Sequence, residues 1–190
     1  MKLKTIFPIL LILLIFFIPF SIYARWYSLK DFNPLRKKNE KTNKETVQQT
    51  IKKFKEIDPY IIKFFDKSAG YAVFPSIGKG GMGIGGAYGK GEVFEKGRLI
   101  GEASLTQLSI GYQLGGQVYS EIIFFKEDED LKKFKSGNYE FGAQVSAVIL
   151  KKGISTEANF DNGIAVFIFI KKGIMYQLTV GGQKFSFKAR

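Results

Sequence analysis

The chain has 190 residues, of which 45% are hydrophobic and 15% aromatic, so it can bury a core and global disorder is excluded. It contains no Cys and no His, which excludes disulfides, thiolate zinc sites, Cys nucleophiles, a lipidated Cys and His-based catalytic triads. Lys and Arg number 29 against 17 Asp and Glu, and this net charge of +12 points to anionic partners such as nucleic acid or a membrane surface.

Residues 1–24 have the composition of a targeting segment. Two lysines precede an apolar stretch without any charged side chain. Pro19 interrupts this stretch and Ala24 provides a small residue before Arg25, which is the pattern of a cleaved signal peptide. The alternative is an N-terminal membrane anchor, since about 20 apolar residues can span a bilayer. In both cases we expect export to the periplasm, at the inner or outer membrane surface, where nucleic acid is not an expected partner.

Glycine divides the remainder, because all 21 Gly lie at or after Gly70. Residues 25–43 are polar and basic and are interpreted as a tether. Residues 44–69 lack glycine and predict helices, whereas residues 70–190 predict a sheet-rich part. The basic run in the tether is Arg36, Lys37 and Lys38.

Two helices are predicted before the sheet. Apolar residues recur at intervals of three and four from Val47 to Ile57, as on one face of a helix. Asp58-Pro59 then ends this helix and begins a second one, Tyr60 to Ser68, because Asp caps helices and Pro suits their first position.

The lysines beside this apolar face are the predicted lipid-binding residues. Lys52, Lys53 and Lys55 lie off or next to the apolar stripe. Such a helix can lie at a membrane interface, where each Lys near an anionic surface contributes about 1 kcal/mol. The basic run at residues 36–38 would add to this attraction. The alternative is a domain helix that packs its stripe on the sheet while its lysines face water.

After Gly70, apolar and polar residues alternate, which predicts antiparallel strands. A short helix is predicted over Glu127–Lys135, and a meander over roughly residues 140–188. The predicted fold is α+β, with N-terminal helices packed on a curved, mostly antiparallel β-sheet that could close into a barrel. Hairpin turns are expected at Glu95-Lys96-Gly97, Lys151-Lys152-Gly153, Asp161-Asn162-Gly163 and Lys171-Lys172-Gly173.

No catalytic, metal or cofactor site is predicted. Residues 78–83 satisfy the pattern G-x-G-x-x-G, but the glycine-rich residues that follow cannot begin the helix that a dinucleotide site requires. The acidic run 127–130 lacks the spacing of a calcium loop. Glu121 is expected to be partly buried and to make a structural hydrogen bond rather than to act in acid–base catalysis. The protein is therefore not predicted to be an enzyme.

Seven segments of the chain form a characteristic series: Gly70–Pro75, Gly78–Gly91, Ala103–Gln107, Gly115–Phe125, Phe134–Gly137, Phe141–Gln144 and Gly181–Phe185. In their order and spacing, from about Lys52 to Phe187, they together resemble the bacterial branch of the SYLF family. The resemblance implies a lipid-binding domain without established catalysis, related to eukaryotic proteins that bind phosphoinositides and, in fungi, actin filaments. It also implies that the region of Lys52, Lys53 and Lys55 contributes to lipid binding.

The predicted function is peripheral binding of anionic phospholipid, such as phosphatidylglycerol or cardiolipin, at a bacterial envelope membrane. The predicted means is the basic amphipathic helix on the sheet-rich domain. Two alternatives remain open: a module that binds an envelope protein, and a carrier that encloses an apolar ligand in the curved sheet.

Overall fold

A computed structural model describes residues 40–137, 139–141 and 147–190, which belong to one compact unit, Glu40–Arg190. The predicted signal peptide or anchor at residues 1–24 lies outside the described residues, as do Arg36, Lys37 and Lys38 of the tether. Within the described part of the chain, no helix is both long enough and apolar enough to cross a membrane.

The two predicted N-terminal helices are present. The first begins at Glu40, four residues before the predicted boundary, and a single 3₁₀ turn, Pro59–Ile61, leads into the second. Asp58 joins this region to a distant segment, because it accepts hydrogen bonds from the N–H of Tyr60 (3.2 Å) and from the N–H of Ser155 (2.8 Å). The helices are α1 (Glu40–Ile57), α2 (Ile62–Lys67), α3 (Asp128–Lys135) and α4 (Ile154–Glu157).

In the described part of the chain, five strands form one sheet in the order β1-β2-β5-β3, with β4 also paired to β5. All pairings are antiparallel except that of β4, which runs parallel to β5. The predicted α+β fold with a curved, mostly antiparallel sheet is therefore confirmed. The strands are β1 (Gly70–Glu95), β2 (Arg98–Phe125), β3 (Tyr139–Phe141), β4 (Ala147–Ile149) and β5 (Ile164–Ala189).

Two of the four predicted turns are present. Lys96-Gly97 joins β1 to β2, and Asn162-Gly163 precedes β5 with positive φ angles of 49° and 82°. The N–H of Asp161 donates to the carbonyl of Ile164 (2.7 Å) and the reverse bond measures 2.9 Å, which closes this turn.

The other two predicted hairpins are wrong, and so is the meander built on them. Residues 151–153 lead into α4, and residues 171–173 lie inside the continuous strand β5. Val118 pairs with Lys172 and Tyr119 pairs with Ile170, so Lys171 is an extra residue that forms a β-bulge. Gly173 has φ 92° there. A positive-φ glycine serves a bulge as well as a hairpin, and the Lys-Lys-Gly pattern does not distinguish them.

The sheet curls back on itself. At about 3.3 Å per residue, a straight strand of the length of β1 would extend roughly 85 Å. Instead its two ends meet, since the N–H of Lys96 donates to the carbonyl of Ala69 at 3.2 Å. The reversal occurs in the glycine-rich middle of the strand, residues 78–86, which we call the bend.

Two apolar clusters lie on opposite faces of this sheet. On the inner face, Phe74 and Val93, from the two halves of β1, pack in one cluster with Phe134 of α3. On the outer face, Phe54 of α1 packs in a second cluster with Ile122 of β2. The helices α1 and α2 therefore cover the outer face beside one end of β2 and leave the bend uncovered.

Candidate functional site

The apolar stripe of α1 packs against the sheet. Val47 and Phe54 are fully buried in the outer cluster. The lysines lie outside it: the ammonium groups of Lys52 and Lys53 are each 3.9 Å from a carboxylate oxygen of Glu56. This is the arrangement of a domain helix whose lysines face water, and the stripe cannot enter a bilayer while it is packed. The contribution of these lysines to lipid binding stays a prediction.

Lys55 lies at the boundary of α1 with α2. Its ammonium group is 4.4 Å from the centre of the Phe65 ring, which favours a cation–π contact. Of the predicted site, the structure thus brings Lys52, Lys53 and Lys55 together on one helix, while Arg36, Lys37 and Lys38 lie outside the described residues.

A group of large apolar side chains is exposed at the bend. Tyr112 is 86% exposed, and Leu114, the least exposed of the group, is 60% exposed. Apolar side chains in this number are rarely left in water by a sheet that has nothing to bind. We call this group the apolar crest: Met82, Ile84, Leu108, Ile110, Tyr112, Leu114 and Ile174.

The strand register places the crest on one face. Residues two apart on a strand point to the same side, so the four members on β2, from Leu108 to Leu114, share a face. Met82 pairs with Leu114, and Ile84 pairs with Ile110. Ile174 pairs with Gly116, which lies two residues after Leu114 on β2 and so belongs to the same face. Ile122 and Phe124 lie on that same face of β2 further along, where α1 covers it, so the crest lies on the outer face.

The inner face at the bend is polar and hydrogen-bonded. Ser109 and Gln113 are buried there, and the Ser109 hydroxyl donates to the side-chain oxygen Oε1 of Gln113 at 2.9 Å. The Gln113 amide donates to the carbonyl groups of Ser109 (2.9 Å) and Gly83 (3.1 Å). The usual arrangement is inverted at this point, with polar groups inside and apolar groups outside.

Along the strand direction, a lysine lies beyond each end of the crest. Lys172 pairs with Val118, two positions beyond the pair of Ile174. On the other side, Lys184 pairs with Thr106, two positions before Leu108, and its ammonium group lies 3.3 Å from a carboxylate oxygen of Glu140. An apolar area with a cationic border matches the layering of an anionic membrane surface.

Glu121 is fully buried on the inner face, deeper than the sequence predicts. The Gln183 amide donates to its Oε2 at 3.2 Å, and its Oε1 has no hydrogen-bond partner among the described residues. Burial raises the pKa of Glu121 to about 7, against the hydrogen bond from Gln183 and the charge of Lys79, which lower it. Burial raises the pKa of the neighbouring Tyr119, and the charge of Glu121 raises it further.

Within the described ranges, no three Asp or Glu side chains converge as metal ligands would. Glu121 is paired with an amide and adjoins the aromatic inner core, which fits the predicted structural role.

The apolar crest is not among the features predicted from the sequence. Its signal was visible as the alternation Leu108, Ile110, Tyr112 and Leu114, but alternation alone does not say which face is covered. The small and polar residues between them, Ser109 and Gly111 among them, are the feature that could have indicated an inverted strand.

Comparison with known proteins gives two matches. Residues 106–189 match a family described as "Ysc84: Las17-binding protein actin regulator". The chain is also similar to Beta cell expansion factor A of Aeromonas veronii, with 25% identity over 158 residues. That alignment covers 80% of this chain and 59% of the relative's length, so the chain spans little more than half of it. The resemblance to the SYLF family, indicated by the sequence motifs, is confirmed by these matches.

Proposed function

We propose that the protein is a binding module, not an enzyme, that attaches to anionic phospholipid at the surface of a bacterial envelope membrane. Similarity to the SYLF family supports a lipid-binding or actin-regulator-like module without catalysis. The observation that favours lipid is the apolar crest, a bent three-strand surface of exposed large side chains bordered by lysines.

The crest provides the apolar part of the binding free energy. Full transfer of one large aliphatic or aromatic side chain from water contributes about 1.5–3 kcal/mol. Half-transfer of four crest side chains would therefore contribute about 3–6 kcal/mol. The curvature of the bend supports this mode, since it lets the crest enter the interfacial layer while the body of the domain stays in water.

The lysines provide the electrostatic part. Lys172 and Lys184 border the crest, and Lys52 and Lys53 lie on α1, which packs on the same outer face. At about 1 kcal/mol each near an anionic surface, four such lysines match the apolar contribution in size. Binding therefore requires both an anionic headgroup layer and an apolar interior.

Vesicle pelleting of residues 25–190 tests this proposal, because this segment keeps the compact unit and removes the apolar residues 1–24. The variant Ile110→Asp places a charge in the centre of the crest. We expect its affinity for vesicles with phosphatidylglycerol and cardiolipin to fall at least tenfold, and binding to neutral vesicles to be weak throughout.

The matched control is Ile149→Asp, since Ile149 is also exposed but lies on β4, outside the crest. We expect this variant to bind as the parent does, and circular dichroism should show that both variants are folded. Equal binding by Ile110→Asp and the parent would overturn the crest as the membrane contact. Retention on an envelope protein at high salt, with no affinity for vesicles, would instead favour the protein-binding alternative.

A further inference from the structure

A pocket of about 150 Å³ lies between α1 and the sheet, next to the crest, and both polar and apolar side chains line it. The C-terminal half of α1 contributes Gln49, Thr50, Lys53 and Phe54, and the sheet contributes Ser120, Phe169 and Lys171. Lys171 is the extra residue of the bulge in β5, and it follows Ile170 directly. The bulge thus directs a lysine from β5 toward a lysine on α1.

The pocket concentrates positive charge. Lys53 and Lys171 are both among the described residues that line it, and none of those residues is acidic. The ammonium group of Lys53 lies 3.9 Å from a carboxylate oxygen of Glu56, which is on the exposed side of the helix. Lys171 is exposed, and the partial burial of its ammonium group lowers its pKa. A bound anion would compensate both charges.

The hydrogen-bonding groups of the pocket also fit an anion. The Thr50 hydroxyl hydrogen is used by the carbonyl of Thr46 (2.8 Å), and that of Ser120 by the carbonyl of Pro75 (2.7 Å). The donors that remain for a ligand are the two ammonium groups and the Gln49 amide. A ligand that accepts several hydrogen bonds and carries negative charge, such as a phosphate group, matches this set.

We propose that this pocket binds the phosphate group of an anionic phospholipid headgroup. The inference rests on the proposed membrane function and adds a specific headgroup site to it. Lys171 is three residues from Ile174 of the crest along β5, so the pocket lies at the border between the crest and the part of the sheet that α1 covers. A lipid held there would have its phosphate on Lys53 and Lys171 and its chains beside the crest.

Lysine footprinting of the full chain tests the proposal. The protein is acylated with a lysine-reactive ester in phosphatidylglycerol vesicles, in phosphatidylcholine vesicles and in buffer, and the reaction rate of each lysine is read by mass spectrometry. We expect phosphatidylglycerol to slow the reaction of Lys53 and Lys171 at least fivefold. Lys52 is 78% exposed and does not line the pocket, so its rate should change much less.

The variant Lys171→Gln separates a shared ligand from general contact with the membrane. A phosphate that bridges both ammonium groups is lost in this variant, so Lys53 should become reactive again. The matched control Lys132→Gln removes one charge from the exposed surface of α3 and should leave the protection of Lys53 intact.

Three results would overturn the proposal that this pocket binds a lipid phosphate. They are unchanged rates at Lys53 and Lys171, equal protection of Lys52, or continued protection of Lys53 in Lys171→Gln. Protection by inorganic phosphate at the same phosphate concentration would identify free phosphate as the ligand and reject the lipid. Pelleting in the same samples reports membrane association separately, so a chain that pellets with both lysines reactive contradicts this inference and leaves the proposed function standing.

Discussion

At the scale of single residues, burial makes the ionised form of Glu121 unfavourable. It is fully buried, one carboxylate oxygen has no hydrogen-bond partner among the described residues, and its pKa is raised to about 7 from 4.5. Because the folded state binds this proton more tightly than the unfolded state, the stabilisation is complete below about pH 4.5. It is lost as pH rises to about 7, a loss of about 3 kcal/mol.

The variant Glu121→Gln should remove this dependence. Its amide oxygen can still accept the hydrogen bond from Gln183, and it carries no charge. We expect the variant to be more stable than the parent by about 1–3 kcal/mol at pH 8 and to show no gain near pH 4.5. Urea unfolding between these two pH values measures the difference. The exposed replacement Glu157→Gln is the control, and identical pH profiles for parent and Glu121→Gln would contradict the burial of this charge.

Asp58 changes the stability of the fold with pH in the opposite direction to Glu121. Burial alone would raise the pKa of Asp58, but hydrogen bonds from Ser155, Gly153 and Tyr60 lower it. The stabilisation from Asp58 is therefore present above its ordinary pKa of 3.8 and is lost below it. Between pH 4.5 and 8, only Glu121 contributes among these two carboxylates.

At the scale of elements, the bend depends on glycines where strands approach closely. Gly115 of β2 and Gly173 of β5 have φ angles of 123° and 92°, which residues with a side chain rarely adopt. A Cβ atom on Gly173 would overlap the carbonyl oxygen of Gly116, and one on Gly115 would overlap that of Ile174. These two positions fix the path of β2 and β5 directly beneath the crest.

The variant Gly173→Ala should therefore destabilise the domain. Backbone strain at such a position costs about 1–3 kcal/mol, and the overlap with the Gly116 carbonyl adds to it. The control is Gly78→Ala, where a Cβ would have no neighbour within 4 Å, and we expect less than about 1 kcal/mol there. Chemical denaturation compares the two, and equal stabilities would mean that the bend does not need glycine at residue 173.

The elements differ in how far the sequence determines them. The helical spacing from Val47 to Ile57 and the Asp58-Pro59 pair predict α1 and its end correctly, because both signals are local. The glycines of residues 97 and 163 mark real turns, whereas Gly173 marks a bulge. Whether a positive-φ glycine reverses the chain or bulges a strand is decided by the partner strand, which the local sequence does not contain.

At the scale of the whole molecule, the family resemblance and the α+β fold could be predicted, but the candidate membrane surface could not. The sequence directs attention to Lys52, Lys53 and Lys55 because an apolar stripe with flanking lysines looks amphipathic. In the folded domain that stripe is buried in the outer cluster. The exposed apolar surface lies instead on strands β1, β2 and β5, and is created by a curvature that buries Ser109 and Gln113. Such an inversion follows from long-range packing and not from periodicity.

The most direct test of the central claim is the depth of the crest in a membrane. The chain contains no Cys, so Tyr112→Cys gives a single attachment point for an environment-sensitive fluorophore at the most exposed crest position. The same label at Asn159→Cys, on an exposed loop outside the crest, is the control. With phosphatidylglycerol vesicles, the account predicts a blue shift at residue 112, quenching there by lipid-borne quenchers, and neither effect at residue 159. A label at residue 112 that stays in water while the protein is bound to the vesicles would contradict it.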